Sequence, residues 1–157
     1  MNYSYNIFSS LPKIFVLSLE AIIYISLHAI ARPVSGKEIC KEKGFTKRHL
    51  EPLLQRLVHH DILRGVRGPK GGYLLACERR KLTLAKIYKV SCDIDHYIHE
   101  KNNNEDTQVA DTIIKPLWKD VEHYIIASLD KVTIEDVCKE LQTKGDISYK
   151  SEGDFTI

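Results

Sequence analysis

Two clusters in this chain have residue types and spacing suited to chemistry, and that chemistry is electrostatic. The first is Arg64-Gly65-Val66-Arg67-Gly68-Pro69-Lys70-Gly71-Gly72-Tyr73, flanked by the apolar runs Ile62-Leu63 and Tyr73-Leu74-Leu75-Ala76. Glycine and proline punctuate a chain tightly, so the stretch reads as a β-hairpin with a Gly-Pro turn at its tip. A slim tip carrying Arg64, Arg67 and Lys70 can press its backbone against a polyanion. The second cluster is Thr46-Lys47-Arg48-His49, followed by Glu51, Gln55 and Arg56. Thr46 is an N-cap residue type, so these polar side chains open a helix. Leu50, Leu53, Leu54, Leu57 and Val58, at i, i+3, i+4, i+7 and i+8, give that helix its buried face.

The flanking sequence supplies the scaffold. A first helix is expected over 12–31, with Pro12 in its first turn and Arg32-Pro33 stopping it. Ser35 caps a short second helix over 36–43, with Glu38 in capping-box position and Gly44 as the terminating glycine. Ile39 and Cys40 face inward, and Phe45 anchors the turn. Two helices separated by Gly44-Phe45 make a helix-turn-helix. Its second helix runs to Asp61 through a distorting Pro52. Thr83 caps another short helix, with Ile87 and Val90 on its buried side. Residues 93–108 turn polar and read as a loop or weak helix.

Beyond them lies a long amphipathic pattern: Ala110, Ile113, Ile114, Leu117, Trp118, Val121, Tyr124, Ile125 and Leu129. Pro116 either kinks this helix or marks its regular start. Thr133, with Asp136 three residues on, caps a last short helix through Leu141, and a mobile tail covers 143–157. The predicted class is mainly α with a small β-hairpin. A winged helix-turn-helix occupies 11–91, a polar linker loop 92–108, and the long and short C-terminal helices 109–142.

A net charge of +2 hides an asymmetry. Residues 32–90 hold 15 Lys and Arg against 5 Asp and Glu, and the remainder holds 8 against 16. One part of the molecule is built to face an anion. A surface turn or a pair of core helices would explain either cluster alone. Adjacent, in this order, inside the basic segment, they predict a grip on double-stranded DNA. Arg48 and His49, in the first turn of the recognition helix, are placed to read base edges, while Thr46 and Lys47 hold phosphates. Glu51 accepts from cytosine or orients Arg48, and Gln55 and Arg56 meet the backbone. Arg67, with Gly68 and Lys70 at the tip, suits a narrow minor groove.

Other classes fit less well. No nucleophile–base pair and no framed pair of carboxylates is visible, so an enzyme is not expected. The glycine-rich stretch lacks the Gly-Lys-Ser/Thr of a nucleotide-phosphate loop. Residues 14–31 are nearly all apolar but contain Glu20, Ser18, Ser26 and His28. A charge at mid-span costs about 2.5–3.5 kcal/mol on insertion, so this is read as a buried core helix and not a membrane span or signal peptide. Cys40, Cys77, Cys92 and Cys138 form no CxxC pair and are read as reduced thiols in a cytoplasmic protein.

The runs Arg48-His49-Leu50-Glu51-Pro52-Leu53-Leu54-Gln55-Arg56-Leu57 and Gly65-Val66-Arg67-Gly68-Pro69-Lys70-Gly71-Gly72-Tyr73-Leu74-Leu75-Ala76 closely resemble the bacterial Rrf2 family. The resemblance spans roughly 14–130 and includes Pro33-Val34-Ser35, Leu82-Thr83-Leu84, Leu117-Trp118-Lys119-Asp120-Val121 and, further on, Val132-Thr133-Ile134. It implies a homodimeric winged-helix regulator of transcription, here expected to be a repressor, on a pseudo-palindromic operator. Its reading head maps onto Arg48, His49 and Glu51 and its wing arginine onto Arg67. It also implies that the helix around Trp118 crosses its twin, with Ile114, Leu117, Trp118, Val121 and Ile125 at the interface.

The chain departs from the family's cluster-binding members. These carry three cysteines in the loop before the long helix, often with a histidine near the tryptophan. Here that loop holds Cys92 alone, and the positions matching the third cysteine and the histidine are Thr112 and Lys115. An iron–sulfur cluster of the family's usual type is therefore not expected, nor another cofactor. Cys92, Asp93, His96 and His99 form a weaker candidate set for zinc, iron or redox sensing, against the plainer reading of a solvated linker. The alternative to a sensing regulator is a winged helix serving as a protein-interaction or architectural module.

Overall fold

The computed structural model describes residues 11–30, 32–99 and 108–144, side chains of 94–99 and 110 excepted. Helix α1 (Lys13–His28) stops earlier than expected; Ala29 already leaves helical geometry and closes it with a bond to the Ile25 carbonyl. Pro12 lies just outside, as N-cap. Ser18 and Ser26 are buried, and their hydroxyls donate to the Ile14 and Ile22 carbonyls one turn back. That satisfies polar groups inside an apolar helix and suits α1 to the middle of a core. No helix among the described residues is long and apolar enough to cross a membrane.

Helix α2 (Gly36–Lys43) starts at Ser35, whose hydroxyl accepts from the Glu38 N–H at 3.2 Å, and ends at Gly44 in the left-handed region at φ 69°. The capping box is only half made. The Glu38 carboxylate turns outward to a two-pronged pair with Arg32, at 2.9 and 3.1 Å. Helix α3 (Lys47–His59) runs unbroken through the exposed Pro52. Its end is a Schellman motif: Asp61 N–H reaches the Val58 carbonyl, Ile62 N–H the Leu57 carbonyl, and Asp61 takes φ 54°. Asp tolerates that conformation better than most residues.

Strands β1 (Leu63–Val66) and β2 (Gly72–Leu75) pair antiparallel, with Leu63 opposite Leu75 and Val66 opposite Gly72. The tip turns through Gly68-Pro69-Lys70-Gly71, closed by Gly71 N–H to the Gly68 carbonyl at 2.9 Å. Proline suits the second position of such a turn. Beyond the sequence expectation, Val34 adds a one-residue third strand. It exchanges two backbone bonds with Tyr73, at 3.1 and 2.8 Å. Gly72 is obligatory there, since a Cβ would overlap the Val34 carbonyl.

A 3-10 turn (Arg79–Lys81) leads to α4 (Leu84–His99), whose cap Thr83 accepts from Lys86 N–H. This helix is long, not short, and takes up the first residues of the polar segment read as a loop or weak helix. Its period continues through Ile87, Ser91, Ile94 and Ile98, which outweighs the local polar composition. Residues 100–107 and the tail from 145 lie outside the described residues. A π-helical turn (Ala110–Ile114) precedes α5 (Lys115–Leu129), so Pro116 marks the start of regular helix. Helix α6 (Ile134–Lys144) outlasts the expected end at Leu141 and opens with a complete capping box between Thr133 and Asp136.

The core gathers α1, the inner faces of α2, α3 and α4, the base of the hairpin, and α6. Ile134 and Cys138 are buried in it, and backbone bonds beside Thr83 and Thr133 lock α6 to the start of α4. Burial raises the Cys138 thiol pKa.

Replacing Gly72 with Ala should cost about 1–3 kcal/mol by overpacking and lower Tm in a circular-dichroism melt. Gly65→Ala, which meets open space, should leave Tm nearly unchanged. A second outcome concerns Glu38, whose pKa is held down chiefly by the Arg32 hydrogen bond. A depressed carboxylate stabilises the fold above its unfolded pKa, and the contribution disappears as pH falls through the folded value. Glu38→Gln should therefore lose up to about 1 kcal/mol at pH 7, the range of a solvent-screened pair. Melting curves of the two proteins should converge below the ordinary glutamate range.

Candidate nucleic-acid interface

The inner face of α3 (Leu50, Leu53, Leu54, Leu57) is anchored in the core, which fixes what the outer face presents. Thr46, Lys47, Arg48, His49, Glu51 and Gln55 are all exposed there, and Arg56 is half-buried with contacts of its own. Glu51 reaches Lys47 at 3.9 Å and not Arg48. Arg48 carries no ion pair or hydrogen bond among the described residues, so its guanidinium is unspent. Thr46 sits in N-cap geometry, but its hydroxyl does not cap the helix; it lies 2.9 Å from His49 Nδ1. Sequence reading missed this contact, although the i, i+3 spacing of threonine and histidine was its available signal.

On the hairpin, Arg67, Gly68 and Lys70 are exposed at the tip. Gly68 adopts φ 116°, a conformation that favours glycine. Strand β1 packs against α3. Burial first, and the Glu51 carboxylate second, push up the Tyr73 phenol pKa. Arg64 belongs elsewhere. It lies on β1 opposite Leu74, at an open cleft of about 650 Å³ bordered by Ile25, Arg79, Arg80, Glu135 and Lys139. The other cations there are already engaged: Arg79 and Lys139 with Glu135, and Arg80 with Glu78.

The predicted interface residues Ile114, Leu117, Trp118, Val121 and Ile125 stand exposed on one chain. Leu117 and Trp118 are each 64% accessible, and Val109, Ile113 and Tyr124 extend the stripe. Helix α5 buries none of its residues in its own chain.

Thiolates hold iron–sulfur clusters, and the residues here do not fit that requirement. Cys92 is half-buried on α4, and between it and Trp118 there is no second cysteine. Thr112 is exposed, and Lys115 is committed to Asp111 at 2.6 Å. Cys138 is sealed in the core. No group of three potential metal ligands occurs among the described residues; the side chains of His96 and His99 lie outside them. The Tyr88 phenol pKa is pushed up to about 12, mainly by burial and further by Cys92 beside it.

Comparison with known proteins agrees with this geometry. The Rrf2 family pattern, described as an iron-dependent transcriptional regulator, matches residues 12–140. Relatives include the HTH-type transcriptional regulator IscR of Sodalis glossinidius, 30% identical over 122 residues, covering 76% of this chain and 73% of that one. IscR of Xenorhabdus nematophila is 25% identical over 140 residues, covering 87% and 83%. The solved structure of T. potens IscR shares 27% identity at TM-score 0.64, covering 85% of this chain and 89% of that one. The B. subtilis cysteine regulator CymR shares the fold at 24% identity and TM-score 0.60, covering 81% and 94%. With its helix-turn-helix, two-stranded wing and exposed α5 in place, the chain belongs to the Rrf2 family of transcriptional regulators.

Proposed function

We propose that the protein is a homodimeric, sequence-specific DNA-binding regulator that represses by occupying a pseudo-palindromic operator. The observation that carries the reading is a pair of exposed cationic elements on one core: the first turn of α3, where Arg48 has no ion pair among the described residues, and the wing tip with Arg67 and Lys70. Lys47, Arg56 and Lys70 supply phosphate contacts that are indifferent to sequence. Arg48 and His49 read the major groove, and Arg67 enters the minor groove. The mechanism is binding without chemistry, and it runs without a thiolate-held cluster.

The second support is α5. An apolar stripe from Val109 to Ile125, rimmed by polar residues, marks a protein–protein surface. Helix-turn-helix dimers set their two recognition helices about 34 Å apart, one turn of duplex, and a twin helix packed on this stripe would supply the dimer.

Fluorescence anisotropy on selected duplexes tests the reading. The logarithm of affinity should fall linearly with that of salt concentration. Arg67→Ala should cost about 1–3 kcal/mol of binding to the selected site with the dimer intact; unchanged affinity would remove the wing from the mechanism. Leu117→Asp should run as a monomer on size exclusion, and Trp118→Ala should shift toward one. A persistent Leu117→Asp dimer would place the interface elsewhere.

A further inference from the structure

We infer that Thr46 is a positioning residue for His49, orienting the imidazole so that Nε2 offers a donor to a guanine edge in the major groove. The inference rests on the DNA-reading role of α3 proposed above. Its basis is a contrast within the molecule. Ser35, Thr83 and Thr133 also stand at helix starts, and each hydroxyl accepts a backbone N–H, from Glu38, Lys86 and Asp136. Thr46 has the same extended N-cap geometry, at φ −80° and ψ 140°, yet makes no such bond. Its carbonyl takes the His49 and Leu50 N–H groups. Its hydroxyl is left for His49 Nδ1, at 2.9 Å, with both residues exposed.

Restraining one ring nitrogen decides what the other can do. The 2.9 Å contact suits a bond in either direction; in the proposed arrangement the Thr46 hydroxyl donates to Nδ1, and neutral His49 then carries its proton on Nε2. In the imidazolium, Nδ1–H donates to the hydroxyl oxygen and Nε2 is again protonated. Either way Nε2 is a donor. Guanine offers two adjacent acceptors in the major groove, N7 and O6, whereas adenine and thymine offer one each, beside a donor or a methyl group, and the cytosine edge offers a donor. An unrestrained imidazole would sample both tautomers and several rotamers, and would read less.

The test uses the full chain. Duplexes are selected from a random library with the wild type, Thr46→Val, Thr46→Ser, His49→Ala and the Val/Ala double variant. The wild type should enrich guanine at one position of each half-site. Thr46→Val and His49→Ala should each weaken that preference by about two- to tenfold, the range of one neutral hydrogen bond. The double variant should lose no more than His49→Ala, and Thr46→Ser should restore the wild-type profile. Additive losses, an unchanged Thr46→Val profile, or a His49-dependent preference for cytosine would overturn the inference. A second readout needs no DNA. Imidazole ¹⁵N shifts of neutral wild-type His49 should show protonated Nε2 and bare Nδ1, and should move toward the tautomer average in Thr46→Val. A protonated Nδ1 in the neutral ring overturns the assignment, and these wild-type shifts decide alone if Thr46→Val does not fold. A wild type that enriches no sequence, with the shifts as expected, would instead sink the DNA-reading role while leaving the Thr46–His49 arrangement standing.

Discussion

The pair of backbone hydrogen bonds between Val34 and Tyr73 is the constraint on which the rest of this architecture depends. It ties the segment before α2 to the hairpin, so the helix-turn-helix and the wing cannot move independently. An isolated two-stranded hairpin is marginal in water; this one is held by a third strand and by the buried Leu63 at its base. Gly72 permits the close approach, and Gly71 closes the tip turn against Gly68. Arg67 and Lys70 stand exposed at the tip of this anchored hairpin.

A second clasp closes the other side. Backbone bonds join Leu82 to Ile134 and Leu84 to Val132, and the Thr83 hydroxyl donates to Asp130 at 3.0 Å. The helix that follows α5 is thereby returned to the core, with Ile134 and Cys138 inside it. Helix α5 is consequently held near the body at its C-terminal end but packs little of itself there. Its large apolar side chains remain partly in solvent on a single chain, and complete burial would be worth at most about 1.5–3 kcal/mol for each. The helices that bury apolar side chains in the core are thus different from the one that leaves them exposed.

Much of this was legible in order of residues alone. Leu50, Leu53, Leu54 and Leu57 at helical spacing gave the buried side of α3, and with it the exposed side. Ser35, Thr83 and Thr133 announced helix starts, and Gly44 announced an end. The Gly-Pro turn announced the hairpin. Three local readings were incomplete for one reason. Polar composition left a loop or a weak helix open where α4 continues, Glu38 suggested a closed capping box, and Thr46, which does take N-cap geometry, suggested a hydroxyl cap as well. In each case a competing interaction prevailed: the helical period through Ile94 and Ile98, the Arg32 guanidinium, and the His49 imidazole.

The sequence by itself determined the elements, their order and the basic character of residues 32–90, because capping, periodicity and turn chemistry act over three or four residues. Only the tertiary structure decided that Val34 completes the sheet, that Ile134 and Cys138 belong to the first half's core, and that Arg64 faces a cleft apart from the wing tip. Those outcomes join residues tens of positions apart, and which of many equally apolar or equally charged groups meet is settled by packing the whole chain at once.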